Sequence, residues 1–150
     1  MRIASMIHRS VVTCSDRDDV AHATHLMWEH DLGCIPVIDA TNKVIGMITD
    51  RDIAIAAWFQ ARPLGSIAVS SVMAKEIITC GEDEDVRTVL HAMRTRQIHR
   101  VPVIDGEGYL LGVLSLNDLA RAAVDGRLPA AEVVATLAEV SRPRDQSAAA

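Results

Sequence analysis

The stretch GCIPVIDATNKVIGMITDRD (residues 33–52) returns 66 residues later as HRVPVIDGEGYLLGVLSLND (residues 99–118). Each copy carries two short runs of Val, Ile and Leu on either side of a polar turn, at residues 40–43 or 106–108, which reads as a β-hairpin. The predicted strands are 35–38 and 44–48 in the first copy, 101–104 and 110–114 in the second. Pro36 and Pro102 stand where a strand starts, a place where the missing N–H is tolerated. Each hairpin runs into a helical pattern, 50–59 and 116–124, and each hinge is a hydroxyl followed three residues on by a carboxylate: Thr49 and Asp52, Ser115 and Asp118.

Outward from the hairpins the same offset holds without a gap. Residues 13–54 equal residues 79–120 at 13 of 42 positions, in blocks that include Thr13-Cys14, Asp19-Val20, His25, Met27, Gly46 and Ala54. Unmatched positions keep their character, as in Ile45 and Leu111 or Arg9 and Lys75, so the chain is a duplicated unit. Ahead of each hairpin, Val20, Ala23 and Met27, and Val86, Val89, Leu90 and Met93, recur at helical spacing over 18–30 and 85–96, behind acidic residues suited to a helix start. The β-branched runs 11–13 and 77–79 predict a strand before each helix. The unit is therefore β-α-β-β-α, twice, over residues 1–63 and 64–128. Residues 62–66 break the pattern, and Ser70 and Ser71 are read as capping a short helical turn at Val72-Met73. A helix over 130–140 follows Pro129, and 141–150 has little to bury and reads as a disordered tail. A single unit leaves a sheet face bare, so the expected fold is α+β, with two repeats packed sheet to sheet as a pseudo-two-fold pair.

Composition excludes several classes. Hydrophobic residues make up 49% of the chain but aromatic ones 3%, so the core is aliphatic and base stacking contributes little to any ligand. A net charge of −5 argues against nucleic acid, whose binders draw affinity from Lys and Arg. No apolar run is long enough to span a bilayer, and the N-terminus lacks the apolar core of a signal peptide, which predicts a cytoplasmic protein without a membrane partner. Three cysteines without a C-x-x-C pair fit reduced, buried thiols. His22, His25 and His30 with Glu29 read as a solvated helix face and not a metal site, and the acidic run 82–85 as a complement to a helix dipole and not a catalytic cluster. No nucleophile elbow, P-loop or H-E-x-x-H motif is present, so an enzyme is the weaker class.

The paired motifs GCIPVID with GMITDRD, and HRVPVID with GVLSLND, resemble those of the CBS-domain family, over about residues 5–125. The layout is similar to bacterial proteins made of a tandem CBS pair, or Bateman module, alone. The resemblance implies a non-catalytic sensor with a cleft between the repeats for AMP, ADP, ATP or S-adenosylmethionine, often as a homodimer read by a separate effector protein. Carried over, Asp52 and Asp118 hold riboses with Thr49 and Ser115 beside them. Adenine then lies near Val12, Ile35 and Pro36 in one site and Ile78, Val101 and Pro102 in the other. Arg51 and Asn117 flank the carboxylates; His99 and Arg100 stand near the second, and Arg9 and Lys75 ahead of each first strand are candidates for phosphate. Free N–H groups at each helix start would face a phosphate.

Two alternatives stay open beside this reading. Thr49-x-x-Asp52 and Ser115-x-x-Asp118 also fit capping boxes, although a box favours the longer Glu or Gln at its fourth position. A dimeric interaction module with empty pockets is the other: Asp50 and Arg51 become Leu116 and Asn117, and Cys34 becomes Arg100, between the copies.

Overall fold

A computed structural model describes residues 1–7 and 9–143, so residues 144–150 of the expected tail lie outside the described residues. The first repeat runs β1 (Cys14–Ser15), α1 (Val20–Glu29), β2 (Cys34–Ile38), β3 (Val44–Thr49) and α2 (Asp50–Gln60). The second runs β4 (Cys80–Gly81), α3 (Val86–Arg96), β5 (Arg100–Ile104), β6 (Leu110–Ser115) and α4 (Leu116–Val124), followed by α5 (Ala130–Val140). Each repeat forms its own three-stranded sheet with the hairpin's first strand in the middle. The mixed α/β class and the order of elements are as the repeat predicts.

Three local expectations are corrected. The first strand of each repeat is not 11–13 or 77–79 but the two residues that follow. β-Branching favours extended backbone, yet the ladder forms only where β1 meets β2 in parallel, Cys14 opposite Val37 and Ser15 opposite Ile38. Pro36 is the third residue of β2, inside the strand and not at its start. It is accommodated because β1 pairs with Val37 and Ile38 and does not extend to the position opposite Pro36. The short helical turn is Val69–Ser71, so Ser71 lies inside it, its hydroxyl donating to the Ala68 carbonyl, rather than capping a turn at Val72-Met73.

The residues shared by the two repeats have structural work of their own. Asp19 and Asp85 cap α1 and α3, accepting from the amides of His22 and Arg87 at 2.9 Å each. Asp39 and Asp105 build the hairpin turns: Asp39 accepts from the amides of Thr41 and Lys43, and Asp105 from those of Glu107 and Tyr109. These bonds favour the ionised form, led by the Thr41 hydroxyl for Asp39 and by the Tyr109 amide for Asp105, and hold both carboxyls below their ordinary value. Gly46 is required by a close backbone approach. Met47 and Ala74 exchange hydrogen bonds at 3.0 and 2.8 Å, which leaves a Cβ at Gly46 only 2.9 Å from the Ala74 carbonyl oxygen. Cys14 and Cys80 are buried free thiols, pushed up to about 11 and about 12 by desolvation, so they act as small apolar residues.

The chain divides into two compact units: one of Met1–Arg9, Ile78–Val103 and the residues from Leu111 onward, the other of Ser10–Ile77 with Ile104–Leu110. Each unit thus holds the core of one repeat together with the segment that precedes the other. In the first unit Ile3 is fully buried in the core of the second repeat, among Val86, Leu90, Val101 and Leu119. Its amide donates to the Glu84 carbonyl at 3.2 Å, and the Val86 amide donates to the Met1 carbonyl at 2.9 Å. The acidic run supports this strap: Arg9 pairs with Glu82 and Arg2 with Asp83, each at 2.8 Å. In the second unit Val69 does the same for the first repeat, donating to the Asp18 carbonyl while the Val20 amide donates to that of Ile67. Every one of these residues is displaced by 66 from its counterpart, so the internal symmetry reaches back to Met1.

Candidate functional site

The two hinges singled out in the sequence are the junctions where β3 enters α2 and β6 enters α4. At the first, the Thr49 hydroxyl accepts from the Asp52 amide at 3.1 Å, while Asp52 Oδ2 accepts from the Thr49 amide at 2.9 Å and the Thr49 hydroxyl at 2.7 Å. Ser115 and Asp118 repeat the arrangement. Both are complete capping boxes. The short Asp closes the box because one oxygen takes both donors of the N-cap residue, so its length is no argument against capping. The hydroxyls of Thr49 and Ser115 are therefore both engaged by their own helices.

The expectation of free N–H groups at each helix start is corrected for α2. The Asp50 amide donates to the Gly33 carbonyl at 3.1 Å, the Arg51 amide to Asp50 Oδ1 at 2.7 Å, and the Asp52 amide to Thr49. In α4 the Leu116 amide donates to the His99 carbonyl at 3.0 Å and the Asp118 amide to Ser115. Leu116 has no side-chain acceptor to offer Asn117, whose amide has no partner among the described residues.

The second oxygen of each carboxylate separates the two junctions. Asp118 Oδ1 accepts from the Arg121 guanidinium at 2.8 Å, and its side chain is 5% exposed. At the first junction the residue one turn on is Ile55, which has nothing to donate, and Asp52 Oδ1 has no protein partner among the described residues. Asp52 is half-buried. Arg121 is not among the residues that the repeat singles out, although an Arg three residues after an Asp on a helix face is a recognisable pair.

The remaining candidates divide in the same way. Ile35 and Val101 are fully buried core residues, and Pro36 and Pro102 are buried beside them. Val12 and Ile78 are half-buried, and Arg51, His99 and Asn117 are exposed. Arg9, a candidate for phosphate, is committed to Glu82. His22 and His25 lie beside Asp18 and Glu29, each one helical turn away, and His30 also faces Glu29. Among the described residues no group of three or more His, Cys, Asp or Glu is arranged to hold a metal, and no helix is long and apolar enough to cross a membrane.

The model of the CBS domain matches residues 3–58 and again 69–125, so the chain belongs to the CBS-domain family as a tandem pair. It is 36% identical over 110 residues to the CBS domain-containing protein YhcV of Bacillus subtilis, covering 73% of this chain and 76% of that one. Among solved structures it is similar to the CBS domain pair of protein MJ0100 in complex with 5'-methylthioadenosine and S-adenosyl-L-methionine, with a TM-score of 0.76 and 24% identity over 84% of this chain and 98% of that one. CBSX2 in complex with AMP is similar at a TM-score of 0.74 and 20% identity, over 85% and 98%. The chain spans 61% and 63% of the length of two further relatives, from Methanopyrus kandleri and Acidianus ambivalens.

Proposed function

We propose that this CBS pair is a non-catalytic regulatory module that binds an adenosine-containing ligand, AMP, ADP or ATP, with S-adenosylmethionine as the alternative, at its strand-to-helix junctions. The observation that carries the reading is the carboxylate set at the same place in both repeats, in a family whose solved pairs hold methylthioadenosine, S-adenosylmethionine and AMP. In this reading Asp52 or Asp118 accepts from the ribose hydroxyls. Backbone around Val12 and Pro36, or Ile78 and Pro102, lines the base, and Arg51, His99, Arg100 and Asn117 lie toward the phosphates. Signalling is a shift between conformations that an effector protein reads, with no bond made or broken.

A ligand that binds only the folded state at 100 times its Kd adds about 2.7 kcal/mol. Thermal unfolding against AMP, ADP, ATP, S-adenosylmethionine and NADH is expected to give a rise of roughly 5–10 °C for at least one of them. Asp52→Ala or Asp118→Ala is expected to remove it, and the variant that does so names the working site. No shift at saturation for any ligand would favour the second reading, an interaction module held by capping boxes that are already satisfied.

Assembly as a homodimer is supported by uncovered aromatic side chains on two helices. Trp28 on α1 and Trp58 and Phe59 on α2 are each about 80% exposed, in a chain with four aromatic residues in total. Sedimentation is expected to give a dimer, and Trp28→Glu combined with Phe59→Glu a monomer with an unchanged fold; a wild-type monomer at micromolar concentration would rule the dimer out.

A further inference from the structure

Building on the adenosine reading, we infer that one junction, the first, takes the ribose, and that Arg121 is the residue that shuts the second. A vicinal diol brings two O–H donors and needs open acceptor positions. Asp52 spends Oδ2 on Thr49 and keeps Oδ1 for the ligand. Asp118 spends Oδ2 on Ser115 in the same way, and its Oδ1 is held by the Arg121 guanidinium in a charge-assisted bond of 2.8 Å. A diol arriving there has to displace a guanidinium from a carboxylate whose side chain is 5% exposed. Neutral hydroxyls are the weaker donors in that exchange. Among the described residues nothing shields Asp52 in this way, because position 55, one turn along α2, is an isoleucine that is 46% exposed and has no donor to offer the carboxylate.

The local charges reinforce the division. Across the first junction Asp50, Arg51 and Asp52 leave one net negative charge; across the second Arg100, Asp118 and Arg121 leave one net positive charge. The first junction therefore suits the uncharged sugar of a nucleotide more than its phosphate, and Asp50 already occupies the Arg51 amide that an anion would use.

The exchange of one residue between repeats tests the inference. Calorimetric titration with 5'-methylthioadenosine and with AMP is expected to give one site per chain in the wild type and two in Arg121→Ile. Ile55→Arg, which transplants the guanidinium to the first repeat at an exposed position, is expected to weaken binding at least tenfold, with unfolding temperature recorded to show that the variant is folded. Two equivalent sites in the wild type, or one site persisting in Arg121→Ile, overturns the inference and leaves adenosine binding standing. Absence of heat with either probe in all three proteins overturns the inference, and overturns the adenosine reading with it when none of the thermal-unfolding ligands raises the unfolding temperature.

Discussion

Truncation after Pro129, which removes α5, is expected to lower the unfolding temperature by at least about 10 °C and to leave the unit built on the second repeat unfolded or aggregating. α5 buries Val133, Thr136 and Val140 against the core that contains Leu90, Leu119 and Ala122. Complete burial of an aliphatic side chain contributes about 1.5–3 kcal/mol, and stripping α5 away also uncovers its partners. A loss on the order of 5 kcal/mol is comparable with the whole stability of a small domain. Polar ties add to it. Arg94 donates to the Thr136 hydroxyl at 2.7 Å and to the Glu132 carbonyl at 3.0 Å, and Gln97 donates to the Glu139 and Arg142 carbonyls near the end of α5. Val133→Asp in the full chain separates lost packing from lost length, because it leaves the helix in place and buries a charge on its inner face. An unfolding temperature within about 2 °C of the wild type for both variants would show that α5 is an ornament.

Among the described residues the first repeat has no such helix, and the contrast accounts for part of its surface. Arg94 and Gln97, which grip α5, correspond at the repeat offset to Trp28 and Asp31 on the first repeat. Trp28 therefore stands on the stripe of α1 that matches the covered stripe of α3, and it is 81% exposed. Position in the repeat, more than hydropathy, explains why so large an apolar side chain is not covered within the chain.

Elements governed by local periodicity were legible from the residues alone. The bounds of α4 and α5 coincide with the apolar spacing that predicts them, and the hairpins differ by a residue at their ends. The errors lie where a partner distant in sequence decides the outcome. The run Val11-Val12-Thr13 has the composition of a strand, but the strand is placed two or three residues later by the register with β2. The junctions were found because the hydroxyl and the carboxylate recur, yet their state was not: helix-start amides are satisfied by Gly33 and His99, more than fifteen residues away, and by the neighbouring Asp50. Arg121 leaves no mark in the repeat, because its counterpart Ile55 shares nothing with it.

Ile3→Ala is expected to destabilise the second repeat by about 2–5 kcal/mol, the range for deleting a buried aliphatic side chain that leaves a cavity. Ile3 is fully buried, and the core it enters begins some 80 residues further along the chain. The strap it belongs to has a twin, so the effect is addressable. Val69 occupies the equivalent place in the first repeat, with its amide on Asp18 as that of Ile3 is on Glu84. Hydrogen exchange read repeat by repeat should then show Ile3→Ala raising exchange in α3 and β5, and Val69→Ala raising it in α1 and β2. If the two substitutions act on separate cores, their costs add to within about 0.5 kcal/mol in the double variant, as for sites without shared partners. Uniform exchange across both repeats in Ile3→Ala would mean that the chain unfolds as one body, and a loss below 1 kcal/mol would mean that the strap is not part of the core.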